Sequence, residues 1–353
     1  MESRIGSIDE AFHVKLSKRK VLPLQDEQVL VKIKACCICG SDLHIFKDRH
    51  PAVKLPVTVG HEFTGEIVDI GKGVTKLKKG DRVVVEPAVV CGKCDSCRHG
   101  EYGYCENITF TYRIGDGACA DYFIGSEERV YPLPDALSYQ EGTLVEPLAV
   151  AVHAVKRAGL QLGDQVVVLG AGAIGIMIAA ICRRLGAKEV LISDLSHFRL
   201  AMAQRLGATR TVWLPQQDIV LEVAEMTKRK GADHVFECVG LEQTFNQALE
   251  LVRIGGMITD VGIFEKPEIK MDVSLLVKKE IRIQGSQGYC WDFEDALQLL
   301  EEISFRDLIT HTYDLKELQK AFEAAVNPNS NAIKVCVIPD EEEGVQEDGL
   351  GDI

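Results

Sequence analysis

The chain has 353 residues, 46% of them hydrophobic, and a formal charge of −13 at pH 7. That length is ample for two buried cores, and the acid excess argues against nucleic acid or an anionic membrane as a partner, since both reward clustered Lys and Arg. Seven of the acids and no base fall between residues 340 and 353, which reads as a disordered, solvating tail.

Met1 to Glu10 lacks the apolar core of a signal segment. The most apolar short run, Ile174 to Cys182, falls well below the roughly 18 residues of a membrane span. Twelve cysteines without the spacing of a disulfide frame predict a reducing, cytoplasmic setting. From Val29 to about Gly125, short β-rich stretches alternate with glycine turns: Val29 to Ile33, Glu66 to Ile70, Arg82 to Val85 and Ala120 to Ile124. They predict a compact, mostly β unit.

Inside that unit, Cys91, Cys94, Cys97 and Cys105 are spaced C-x2-C-x2-C-x7-C in a polar loop. Four thiolates so placed can close tetrahedrally on one zinc and leave no open position, which staples a loop rather than doing chemistry. Separately buried thiols and an iron–sulfur cluster are the other readings. Further metal-competent side chains stand in Cys39-Gly40-Ser41-Asp42, in Gly60-His61-Glu62 and in Val145-Glu146-Pro147. Their spacing alone does not show that they converge.

Beyond Glu146 the pattern changes. Gln165 to Leu169 is a continuous apolar strand. Gly170, Gly172 and Gly175 follow as G-x-G-x-x-G, then a helix to Leu185 and a second strand, Glu189 to Ser193. Strands at Val235 to Val239 and Met257 to Val261 alternate with amphipathic segments such as Leu241 to Val252, which predicts a parallel sheet covered on both faces. The first glycine permits the tight turn, the second lets a pyrophosphate approach the backbone, and the third seats the helix against the sheet. Asp194, roughly 20 residues on, is placed to accept the adenosine ribose hydroxyls and repel a 2′-phosphate, which predicts NAD; a turn-forming role is the alternative. After Ile283 come a helical stretch, Phe293 to Ile303, and an apolar strand, Lys334 to Ile338. This piece is expected to pack back on the first unit, so that 1–150 and 289–339 form one domain around an inserted 151–288.

Taken in order, Cys39-Gly40-Ser41-Asp42-Leu43-His44, Gly60-His61-Glu62, the cysteine loop, Glu146-Pro147 and Gly170-Ala171-Gly172-Ala173-Ile174-Gly175 resemble the zinc-dependent medium-chain dehydrogenase/reductase family. The likeness runs from about Val29 to about Ile338. It implies an α/β chain with a GroES-like, β-rich catalytic domain and an inserted Rossmann domain, a doubly wound parallel sheet. It further implies a catalytic zinc at Cys39, His61 and Glu146, with Glu62 ligating directly or through a water, and a structural zinc at the four cysteines. NAD would be held by Gly170, Gly172, Ala173, Ile174, Gly175, Asp194 and Arg199. Cys36 and Cys37 rival Cys39 by position, but only Cys39 fits the motif.

A glutamate at position 146 resembles the sorbitol, butanediol and threonine dehydrogenase branches. The implied reaction oxidises a secondary hydroxyl of a small polyol or vicinal diol, with Ser41 taking the proton, His44 handing it to solvent and Asp42 fixing the His61 ring. Sorbitol dehydrogenases show an Arg-Tyr pair where this chain has Gly288-Tyr289, which leaves cyclic polyols and 2,3-diols open. L-Threonine 3-dehydrogenase is the alternative activity, and a non-catalytic NAD-binding protein of the same fold is the alternative class. The resemblance also implies a homodimer or homotetramer, joined through the Rossmann sheet edge near Gly256 to Ile263.

Overall fold

The computed structural model describes residues 1–339; the expected acidic tail, 340–353, lies outside them. Its centre is the long strand Gln28–Ile38, whose Val29, Val31 and Ile33 enter one core while Ala35 and Cys37 face another. The change of face comes at the register irregularity between Ile33 and Ala35, without which residues of one parity would share one face. Around it a seven-stranded sheet runs Val130–Pro132, Arg82–Val85, Glu62–Ile70, Gln28–Ile38, Lys334–Ile338, Ile309–Asp314, and Tyr122–Ser126 also pairs with Gln28–Ile38. Segments some 300 residues apart in sequence thus share one ladder: Cys37 lies opposite both Glu62 and Cys336.

The second sheet is wholly parallel, in the order Arg210–Trp213, Glu189–Asp194, Gln165–Leu169, Ala232–Glu237, Val252–Asp260, Arg282–Gly285. Helices Val145–Ala158 and Ala173–Arg184 cover one face, and Ile219–Met226 and Glu242–Leu251 the other. The central strand Gln165–Leu169 is apolar and buried from Val166 to Leu169 because neither of its faces meets water. The strand Val252–Asp260 pairs on both sides, so the edges of this sheet are Arg210–Trp213 and Arg282–Gly285 and not the expected Gly256 to Ile263.

Several boundaries move for local reasons. Val239 leaves the strand Ala232–Glu237 because the Glu237 carboxylate takes the amides of Val239 and Gly240 and turns the chain. The expected Ala120 to Ile124 strand is shifted to Tyr122–Ser126, and the Met257 to Val261 strand begins earlier, at Val252. An N-terminal hairpin, Glu2–Glu10 with His13–Lys20, escaped the sequence reading, since Ile5, Ile8 and Val14 turn inward beneath a heavily charged outer face. The helix Val145–Ala158 runs straight through position 150, and Phe293–Glu302 buries Phe293, Ala296 and Leu300 in the core it shares with that helix. Packing is therefore continuous across both expected domain limits. Among the described residues no helix is long and apolar enough to cross a membrane.

Candidate active site and cysteine lobe

Where the strand Gln28–Ile38 ends, Cys39 caps the helix Gly40–Phe46, and its amide donates to Asp42 Oδ2 at 3.0 Å. The same carboxylate reaches His61: Nδ1 of the ring lies 3.6 Å from Asp42 Oδ2, and Gly60 N donates to Oδ1 at 3.4 Å. One fully buried acid thus holds the helix start by a hydrogen bond and stands behind the histidine as a nearby charge. Burial works against an imidazolium at His61, but Asp42 and Cys39 outweigh it and hold its pKa well above the usual value. Cys39, His61 and Glu62 offer ligand atoms that all lie within 4.8 Å of one another. A soft thiolate, an imidazole steadied from behind and a nearby carboxylate are a donor set that suits zinc.

Glu62 is not a free carboxylate. Both of its oxygens accept from Lys334 Nζ, the Oε2 contact at 2.6 Å, and the two side chains are entirely enclosed. Lys334 opens the last strand, which the sequence presents as an apolar run, and nothing local marks its lysine as a buried counter-charge. Glu146, second residue of the helix Val145–Ala158, lies outside the 4.8 Å group. Burial, opposed by His61 but reinforced by Glu62, pushes its carboxyl up to about 7. Cys36 and Cys37 take no part: Cys36 Sγ faces Cys119 Sγ at 3.9 Å, and Cys37 Sγ faces Thr143 Oγ1 at 3.0 Å.

Ser41 is buried on the same short helix, and His44 lies one turn on. His44 Nδ1 stands 3.5 Å from Glu265 Oε1, and Arg49 Nη1 stands 3.5 Å from Glu265 Oε2. Glu265 belongs to the loop after the strand Val252–Asp260, so this bridge ties the helix Gly40–Phe46 and the turn after it to the parallel-sheet unit. Burial depresses the His44 pKa, and Glu265 partly restores it. No sequence signal marked Glu265.

The four cysteines of the loop do converge, their sulfurs within 4.8 Å of one another. Backbone amides of Cys91 and Asn107 donate to Cys105 Sγ, and Cys94 N donates to Cys91 Sγ. Amides of Lys93 and Cys94 bring the Cys91 thiol down to about 6, so a thiolate is favoured there. The lobe fits a tetrahedral zinc.

In the glycine turn, Gly170 has φ +97°, a conformation that Gly adopts without strain, and a Cβ on Gly175 would lie 1.9 Å from the Gly170 carbonyl oxygen. Nothing of the protein lies within 4 Å of a Cβ built on Gly172, where the helix of Ala173 and Ile174 begins. That gap above helix N-terminal amides fits a pyrophosphate. Asp194 Oδ2 accepts from Ala171 N at 2.7 Å and Oδ1 from Ser196 N at 2.8 Å, so it also ties the turn together. Arg199 donates to the Ala332 carbonyl at 2.9 Å, toward the last strand.

A chain with two such units, a thiolate–imidazole–carboxylate cluster and a dinucleotide turn is built as a metal-dependent nicotinamide dehydrogenase. Comparison with known proteins bears this out. Residues 25–135 match the family "Alcohol dehydrogenase GroES-like domain" and residues 173–302 the family "Zinc-binding dehydrogenase". Sorbitol dehydrogenase of Bacillus subtilis is 35% identical over 331 residues, 91% of this chain and 94% of that protein. D-Arabitol-phosphate dehydrogenase of Enterococcus avium is 35% identical over 325 residues, covering 90% and 92%. Among solved structures, 2R,3R-butanediol dehydrogenase of Bacillus subtilis superposes with TM-score 0.85 at 33% identity over 96% of this chain and all of the other. A zinc-binding-dehydrogenase-type protein of Sinorhizobium meliloti, bound to NADP, gives 0.89 at 28% over 96% and 100%. The chain belongs to the zinc-dependent medium-chain dehydrogenases, in the sorbitol/butanediol branch.

Proposed function

We propose that the protein oxidises a secondary hydroxyl of a small polyol or vicinal diol to the ketone, with NAD and two zinc ions per chain. One zinc would sit at Cys39, His61 and Glu146 beside Glu62, and one in the four-cysteine lobe. The observation that carries this reading is the Cys39, His61 and Glu62 group with Asp42 behind the imidazole. Zinc supplies Lewis acidity toward the substrate hydroxyl, and the nicotinamide supplies the hydride acceptor. Asp42 orients His61 through Nδ1 and leaves the other ring nitrogen for the metal. Ser41, screened from bulk water, takes the hydroxyl proton at Oγ, and His44 passes it outward with Glu265 beside its Nδ1.

NADH formation with sorbitol, myo-inositol, 2,3-butanediol and L-threonine, before and after chelation, tests the whole reading. A zinc-dependent rate on a polyol or diol supports it; a rate on L-threonine alone replaces it. Relatives' names span neutral and phosphorylated polyols, so they leave the substrate's charge open.

Cofactor choice is tested at Asp194. Asp194→Ser should lower the NAD over NADP ratio of kcat/KM by about tenfold or more, because it removes the charge facing a 2′-phosphate. An unchanged ratio restricts Asp194 to holding the turn. For the proton path, Glu265→Gln removes the carboxylate that favours the His44 imidazolium, so the His44 pKa drops further. Oxidation needs neutral His44 as acceptor; hence the acidic limb of the kcat/KM profile should move to lower pH. A limb that stays in place excludes His44 from the path.

The reading extends to a cytoplasmic homodimer or homotetramer. The open edge strand Arg282–Gly285 lies in a sheet whose exposed apolar residues include Ile283, with Val273 and Val277 just before it.

A further inference from the structure

Arg113 is a cation without a carboxylate partner beside the candidate site. Its guanidinium carbon lies 5.5 Å from the centre of the Phe110 ring and 5.6 Å from that of Tyr112, and its Nε donates to the Tyr112 hydroxyl at 3.2 Å. No Asp or Glu stands within ion-pair distance of it among the described residues, and Asp116, three positions on, is held by Arg19 at 2.7 Å. The aromatic faces orient the guanidinium without neutralising it.

Its position relative to the metal-competent cluster is fixed by one ring. Tyr112 stacks on His61 with centroids 5.1 Å apart. The charge of Arg113 is also felt at His50, where burial first and Arg113 second bring the pKa down to about 4, His44 and His61 adding to the effect and Asp42 opposing it. His50 Nδ1 accepts from Ala52 N at 3.1 Å, so the neutral ring carries its proton on Nε2.

A Cβ on Gly288 would stand 4.0 Å from Phe110 Cζ, and a small cavity separates Phe110, Gln287, Gly288 and Tyr289. Position 288 brings no charge to this wall. Phe110 instead carries a guanidinium over its own face, from Arg113.

We propose that the substrate is anionic at the end distal to the reacting carbon, a phosphate or carboxylate, and that Arg113 receives this group. The proposal deepens the polyol reading and rests on it. An oxyanion can take two parallel N–H donors from a guanidinium, a charge-assisted arrangement that a neutral hydroxyl does not match. A neutral polyol would leave a half-buried cation without a counter-charge.

The test compares kcat/KM at low ionic strength for a pentitol, the same pentitol bearing a phosphate at its far end, and the corresponding aldonate. One charged substrate should exceed the neutral one by tenfold or more, and which of the two wins identifies the anion. In Arg113→Met the ratio should fall to threefold or less, with Arg113→Lys in between. Inorganic phosphate should compete with the neutral pentitol in the unaltered protein, which keeps the test open should Arg113→Met fail to fold. A neutral pentitol used as well as the charged ones, or a charged preference that survives Arg113→Met, overturns the proposal and leaves the polyol reading standing. No oxidation of any of the three defeats both.

Discussion

Lys334→Ala is expected to destabilise the protein by about 3–5 kcal/mol, the usual consequence of removing one partner from a buried ion pair. The cause is the charge left behind. Both Glu62 oxygens accept from Lys334 Nζ, and both side chains are buried. Without the ammonium, Glu62 must remain ionised in a dry site or take up a proton, and both are costly. Urea unfolding at pH 7, followed by circular dichroism, measures the loss. The double variant Glu62→Gln with Lys334→Met should recover more than half of it, because paired removal leaves no orphan charge. A loss below about 1 kcal/mol in the single variant, the range of exposed pairs, would contradict the enclosed geometry.

Cys39→Ala should lower kcat/KM by about a thousandfold or more, equivalent to about 4 kcal/mol of transition-state stabilisation, and reduce bound zinc by one ion per chain. The comparison that gives this meaning is Cys97→Ala, which should release the other ion and lower thermal stability of the lobe while the Cys39 and His61 group stays intact. Elemental analysis beside initial rates separates the two. Loss of the same ion in both variants would mean that the two sites are not independent. Glu146→Ala bears on the third ligand: full activity with full zinc in that variant would exclude Glu146 from the metal.

What could be read from the chain depended on how local each feature is. The glycine turn was legible because strand, turn and helix are contiguous and each glycine has its own steric reason. The cysteine lobe was legible because its four ligands fall within fifteen positions. Cys39 and His61 were visible as residues but not as neighbours, since 22 positions of unconstrained spacing separate them, and only resemblance placed them together. Lys334 was out of reach: its partner lies 272 residues away, and a strand that begins with lysine reads as an edge, not as a buried counter-charge. Glu265 sits in a loop and Arg113 in the single 3-10 turn Thr111–Ile114, both too short for periodicity, where nothing local distinguishes a bridging or unpaired charge from a solvated one. The N-terminal hairpin failed for the converse reason, as its outward charges concealed the inward alternation of Ile5, Ile8 and Val14.

The pairing of Glu62 with Lys334 also sets an order of events at the ribosome. At roughly 5–20 residues per second, about 15–55 seconds separate the synthesis of the glutamate from that of the lysine that neutralises it. During that interval the parallel sheet, contiguous from Gln165 to Gly285, can complete itself, whereas the strands Gln28–Ile38 and Glu62–Ile70 still await Lys334–Ile338. The nucleotide half is therefore available to fold while the metal half remains an unfinished sheet with an uncompensated acid at its centre. If Cys39 and His61 hold the proposed zinc, its loading would belong, on this ordering, to the last stage of maturation.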